Sequence, residues 1–144
     1  MGGPPRAPQP EPHPLAQVYC IALRTYIEAS EKLEDARHRL AQVERELNAL
    51  EESLAGEYGL GYLTVKTVRN RAGKRYRYPV WRRLEGGEVY LTRDPRAREL
   101  LALREQARRL RRQITRAKHA ARTAWVLMQT TREYRSTCAG EGGA

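Results

Sequence analysis

The chemistry-bearing side chains of this sequence crowd into one stretch, "KTVRNRAGKRYRYPVWRR" (66–83), with eight lysines and arginines in eighteen residues and no carboxylate. Cationic groups at that density replace the counterions of a phosphate backbone, and flat rings beside them stack on bases or sugars. The expectation is a nucleic-acid surface in which Lys66, Arg69, Arg71, Lys74, Arg75, Arg77, Arg82 and Arg83 hold phosphates while Tyr62, Trp81 and Tyr90 stack. DNA is favoured over RNA, because a small sheet can enter a major groove, where arginine makes paired bonds to guanine. The competing reading is a coiled-coil scaffold or adaptor for other proteins. Its charged strands would then only guard a sheet edge against aggregation.

Nothing in the sequence assembles a reaction. His13 lies in a proline-rich arm, and His38 and His119 fall off any apolar seam. No HxxxH, CxxC or Cys–His spacing occurs, so neither a metal nor another cofactor is expected. Gly73-Lys74 lacks the glycine that a phosphate loop needs five residues earlier, where Val68 stands. The chain reads as non-enzymatic.

Two long helices must position the basic stretch. Leu15, Tyr19, Ala22, Tyr26, Ala29, Leu33, Ala36, Leu40, Val43, Leu47, Leu50 and Leu54 recur with alternating steps of four and three, the spacing of a coiled-coil seam. Pro14 suits the first turn and Gly56 a left-handed terminus. A second helix opens at "DPRARELL", with Asp94 as cap and Pro95 at the first helical position. Its seam runs Leu100, Leu103, Ala107, Leu110, Ile114, Ala117, Ala121, Ala124 and Met128. Equal lengths around a compact insert predict a mainly α (α+β) fold: a long antiparallel two-helix coiled-coil hairpin with a three-stranded antiparallel β-sheet at its closed end.

Residues 1–14 are expected as a disordered arm, since six of the fourteen are proline. Residues 15–135 form a single domain, with helices at 15–55 and 95–135 and a sheet at 62–92, and 136–144 a disordered tail. Between the helices the period becomes two. "YLTVKTV", "KRYRYPVWRRL" and "EVYLT" predict strands, with "NRAG" and "EGG" as turns. Leu63, Val65, Tyr76, Tyr78, Val80, Val89 and Leu91 are expected on a core face. Tyr62, Thr64, Lys66, Arg75, Arg77, Trp81, Arg83 and Tyr90 are expected on an exposed one. Pro79 in the central strand predicts a bulge.

The segment "GYLTVKTVRNRAGKRYRYPVWRRLEGGEVYLT", followed by an Arg- and Glu-rich helix, resembles a family of uncharacterised small prokaryotic coiled-coil proteins. Their pattern is "G-Y-x … G-K-x-Y-x-Y … E-G-G-x-V". More loosely it resembles the three-stranded arm-type DNA-binding domains of phage integrases. The likeness covers residues 59–115 and, without any catalytic domain, implies at most a DNA-binding or accessory role.

Charge is divided unevenly. Residues 14–55 carry five basic and eight acidic side chains, residues 56–94 nine and four, and residues 95–135 twelve and three. Glu44, Glu46, Glu51 and Glu52 are expected to answer Arg104, Arg108, Arg109 and Arg111 across the hairpin, which leaves the basic insert unanswered. A second apolar stripe, Ala16, Cys20, Leu23 and Ile27, with Trp125, Val126 and Leu127 at matching height, predicts a homodimer contact. Extrapolating the second helix leaves Cys138 about 10 Å beyond Cys20 at 1.5 Å per residue, which argues against a disulfide. No signal peptide and no run long enough to span a membrane is present, so a cytoplasmic protein without a membrane partner is expected.

Overall fold

The computed structural model describes residues 2–4 and 13–138. The chain is mainly helical, with two helices and a small three-stranded antiparallel sheet. Helix α1 spans Pro14–Tyr58, strands β1, β2 and β3 span Gly61–Arg69, Arg75–Arg83 and Glu88–Tyr90, and helix α2 spans Pro95–Thr130. A 3-10 helix, Arg132–Cys138, follows. The backbone divides into two compact units, Met1–Glu34 with Ile114–Ala144, and Asp35–Gln113.

In the unit Asp35–Gln113 the heptad positions are covered as their spacing requires. Ala36, Val43, Leu47 and Leu54 are buried on α1, and Ala97, Leu100, Leu103, Ala107 and Leu110 on α2. Glu51 meets Arg104 at 3.8 Å and Glu44 meets Arg111 at 3.5 Å. Arg108 and Arg109 bond instead to Glu105 on their own helix. The pairs are largely exposed and contribute ~0–1 kcal/mol each, so they choose orientation more than they stabilise.

Helix α1 does not end at Gly56. It runs on to Tyr58, and Gly59 takes the left-handed conformation at φ 97°, its N–H closing on Ala55 O at 2.8 Å. The start of α2 is capped as its sequence predicts. Asp94 Oδ1 accepts the Arg96 N–H at 3.0 Å, Tyr58 Oη donates to Asp94 Oδ2 at 3.2 Å, and Arg96 also reaches Glu57. Hydrogen bonds from Arg96 hold the Asp94 carboxyl below the usual carboxylate range, and Arg96 is raised in return.

The sheet register is regular throughout: Gly61 faces Arg83, Leu63 faces Trp81, Val65 faces Pro79, and Arg69 faces Arg75. No bulge occurs at Pro79. Proline is tolerated because its nitrogen points away from β1, toward the β3 side, where Leu91 N donates to Pro79 O at 2.9 Å. Pro79 cannot donate in return, and β3 pairs only with Val80, Trp81 and Arg82. Beyond Pro79 the sheet is a two-stranded ribbon.

This register corrects the expected facing of β2. Paired residues share a face, so Trp81 joins Leu63, Val65 and Val89 on the helix-facing side, whereas Tyr76 and Tyr78 join Tyr62, Lys66 and Tyr90. Val80 shares that second side of the register but is fully buried, as expected of it. A shift of one residue inverts every side chain of a strand. The core here is Leu54, Leu63, Val80, Trp81, Leu91, Ala97 and Leu100, each at most 2% exposed. Gly61 is dictated by close approach, since a Cβ there would lie 2.1 Å from Arg82 O.

In the other unit, Ala22, Ala29, Ala117 and Ala124 are buried. His13 is not a free arm residue: its carbonyl accepts the Ala16 N–H at 2.8 Å, and its ring stacks on Tyr134 with centroids 4.7 Å apart. Cys20 and Cys138 form a disulfide with Cα atoms 5.3 Å apart, contrary to the extrapolation from a straight helix. Helix α2 stops at Thr130 and the 3-10 helix brings Cys138 back to α1. The proline-rich stretch 5–12 and the tail from 139 lie outside the described residues.

Candidate nucleic-acid interface

The ribbon is built by its turn. Asn70 N donates to Lys74 O at 2.9 Å, Asn70 Oδ1 accepts the Lys74 N–H at 2.8 Å, and Gly73 N donates to Asn70 O at 3.0 Å. This asparagine-capped loop sets the pairing that carries Arg69 opposite Arg75. Every residue from 67 to 77 is exposed.

The two faces of the ribbon differ in chemistry. Arg69, Arg75 and Arg77 lie on the helix-facing side of the register, with Thr67 between them. Tyr76, Tyr78 and Tyr90 form a row on the other side, Tyr76 and Tyr78 stacked at 6.3 Å and Tyr78 edge-on to Tyr90 at 6.0 Å. Lys74 Nζ stands 5.7 Å from the Tyr76 ring and Lys66 Nζ 6.0 Å from that of Tyr90. Tyr62 and Tyr90 keep about half of their surface in water, at 50% and 53%.

Most of the expected residues are gathered here, with exceptions. Trp81 is 1% exposed and its Nε1–H donates to Gly59 O at 2.8 Å, so it is a core residue and offers no ring for stacking. Lys66 and Arg82 share Glu88, at 3.2 and 3.3 Å, and the bond to Glu88 raises the Lys66 pKa above its ordinary value. Arg83 is exposed at the far end of β2 from the turn. Arg69, Arg71, Lys74, Arg75 and Arg77 make no ion pair among the described residues. Tyr76 and Tyr78 belong to the aromatic row but were missed, because the expected facing assigned them to the core. Their alternation with Arg75 and Arg77 in "RYRY" was the available signal.

The expected dimer contact is only partly a free surface. Ala16 is 1% exposed, and Cys20 is spent in the disulfide. Leu23 is half-buried, while Ile27, Trp125, Val126 and Leu127 are exposed. Ile21, at 61%, is more exposed than any of them and was not expected.

Among the described residues no cluster of His, Cys, Asp or Glu is suited to a metal ion. No helix of those residues is long and apolar enough to cross a membrane. No protein-family model, curated protein or solved structure matches the chain.

Proposed function

We propose that the chain is a non-enzymatic nucleic-acid-binding protein whose β1–β2 ribbon, residues 66–78, enters the major groove of duplex DNA. In this reading Arg69, Arg71, Lys74, Arg75 and Arg77 neutralise phosphates or reach base edges. Tyr62, Tyr76, Tyr78 and Tyr90 pack against sugars and backbone. One observation carries the proposal: the ribbon projects past β3 with five cationic side chains that no carboxylate answers among the described residues. A two-stranded ribbon is the sheet element that a major groove admits. Five arginines of α2, Arg104, Arg108, Arg109, Arg111 and Arg112, have partners of their own in Glu44, Glu51 and Glu105.

The helices, in this proposal, are the rigid mount. Within each unit the segments of α1 and α2 pair as an antiparallel coiled coil. Support comes from the buried heptad positions, the Glu51–Arg104 and Glu44–Arg111 bridges in one unit, and the Cys20–Cys138 bond in the other.

Fluorescence anisotropy of a labelled duplex across a salt series tests the reading. Five phosphate contacts give a log–log slope of about −4 to −5, from about −0.9 per contact on duplex DNA. Absence of binding at low salt would remove the proposal.

A second reading, a scaffold that joins through the exposed Ile21, Ile27, Trp125, Val126 and Leu127, is favoured by the size of those side chains in water. A second copy of the chain is the proposed partner, and light scattering at micromolar concentration checks it; a monomeric mass refutes it. The cytoplasmic placement meets a counter-observation in the disulfide, a bond rare where cellular thiols are kept reduced. Thiol labelling in intact cells distinguishes the two.

A further inference from the structure

Beneath the ribbon's arginine face lies a cleft of 530 Å³, walled by Leu63, Val65, Arg77 and Pro79 of the sheet and by Leu101, Arg104 and Arg108 of α2. We propose that this cleft binds one nucleotide unit of a single strand, its phosphate held by Arg77, Arg104 and Arg108 and its base laid on Val65, Pro79 and Leu101. The inference deepens the nucleic-acid reading and rests on it.

The cleft has the composition such a ligand needs. Its volume falls within the ~300–1,000 Å³ of small-molecule sites, which combine an apolar lining with a few convergent polar groups. Arg104 is already positioned: its Nη1–H donates to Leu63 O at 2.7 Å and its Nη2 lies 3.8 Å from Glu51. The rotamer freedom that a phosphate contact would cost is therefore largely gone before binding. Planar guanidiniums suit the paired geometry of phosphate oxygens. Glu105, the carboxylate of the lining, is shared by Arg108 at 3.1 Å, Arg109 at 3.5 Å and Arg112 at 3.6 Å, so it does not leave the cleft anionic. Arg77 is the hinge between the two surfaces, since it shares the helix-facing side of the ribbon with Arg75 and Arg69.

Two contact surfaces on one unit would let the protein hold a duplex on the ribbon and an unpaired nucleotide in the cleft. The fitting substrate is a junction or end at which double-stranded nucleic acid meets single-stranded.

The test is a titration of the full chain with adenosine monophosphate, followed by methyl NMR at Leu63, Val65 and Leu101. Saturable shifts at these methyls are expected, with adenosine and inorganic phosphate each binding at least about tenfold more weakly, the first for want of charge-assisted bonds and the second for want of an apolar base to bury. Arg108→Ala, at a well-exposed position, is expected to weaken the monophosphate by a similar factor. Arg98→Ala, exposed on α2 and outside the cleft lining, should leave it unchanged. No shift at the cleft methyls at millimolar nucleotide, or equal binding by Arg108→Ala, overturns the inference. Duplex affinity of the same samples is read separately, so failure of the cleft and failure of the ribbon are distinguishable.

Discussion

Leu63 faces Trp81 across β1 and β2, both at most 2% exposed, and this pair decides which side of the sheet is core and which is available to a ligand. With Trp81 turned inward, the exposed aromatics of the sheet become Tyr62, Tyr76 and Tyr90, and Arg75 and Arg77 of β2 fall on the side that overhangs α2.

Trp81→Ala is therefore expected to cost stability, about 3–5 kcal/mol as for large-to-small core changes. Urea denaturation measures it. Tyr76→Ala should cost far less stability and weaken duplex binding instead, as anisotropy would show. A stable Trp81→Ala variant would return the tryptophan to the surface.

Two glycines separate packing from propensity. At Gly61 an added methyl meets the Arg82 carbonyl, so Gly61→Ala should destabilise by about 1–3 kcal/mol, the range of overpacked sites. At Gly56, inside α1 and with nothing within 4 Å of a built Cβ, alanine should stabilise by about 0.5–1 kcal/mol. Thermal unfolding of both variants reads the opposite signs.

Asp94 couples the start of α2 to pH. Its pKa is depressed in the folded state, chiefly by Arg96, so its contribution is present above the unfolded value of about 4 and is lost as pH falls through the lower folded value. Asp94→Asn keeps a capping side chain but should flatten the acid limb of a stability-versus-pH curve. Asp94→Ala should in addition lose about 0.5–2 kcal/mol of capping at neutral pH.

The disulfide spans 118 residues of sequence. A loop of that size implies about 4–5 kcal/mol by the chain-entropy relation, so reduction, or Cys138→Ser, should lower the unfolding midpoint markedly. An unchanged midpoint on adding reductant would mean that the bond does not constrain the unfolded chain.

The helices and strands were legible because their periods are strong: Ala22, Ala29, Ala36 and Val43 mark successive heptads, and all are buried. The facing of β2 was not, because "RYRYPVWRR" alternates acceptably in either phase, with arginine or tyrosine at each ribbon position. Only the Asn70 turn chooses between the phases, and a bulge assumed at Pro79 hid that choice. The disulfide was missed for a different reason. A seam fading through Thr131 reads as a helix running on, whereas Thr130 and Thr131 bond back to the carbonyls of Val126 and Leu127 and the chain leaves the α-helix there. The five ribbon cations without an ion pair among the described residues were legible from the absence of acid between Glu57 and Glu85.

The central claim, that the ribbon grips DNA, is tested most directly by reversing its charge where no ion pair among the described residues is lost. Duplex binding by Arg69→Glu/Lys74→Glu/Arg75→Glu is compared with that of Arg109→Glu/Arg112→Glu on α2, with circular dichroism to verify folding. The account predicts that the ribbon variant loses most of its affinity and that its salt slope falls by about 3, roughly one per phosphate contact removed, while the α2 variant keeps most of both. Equal losses in the two variants, or a ribbon variant that binds as wild type, would contradict it.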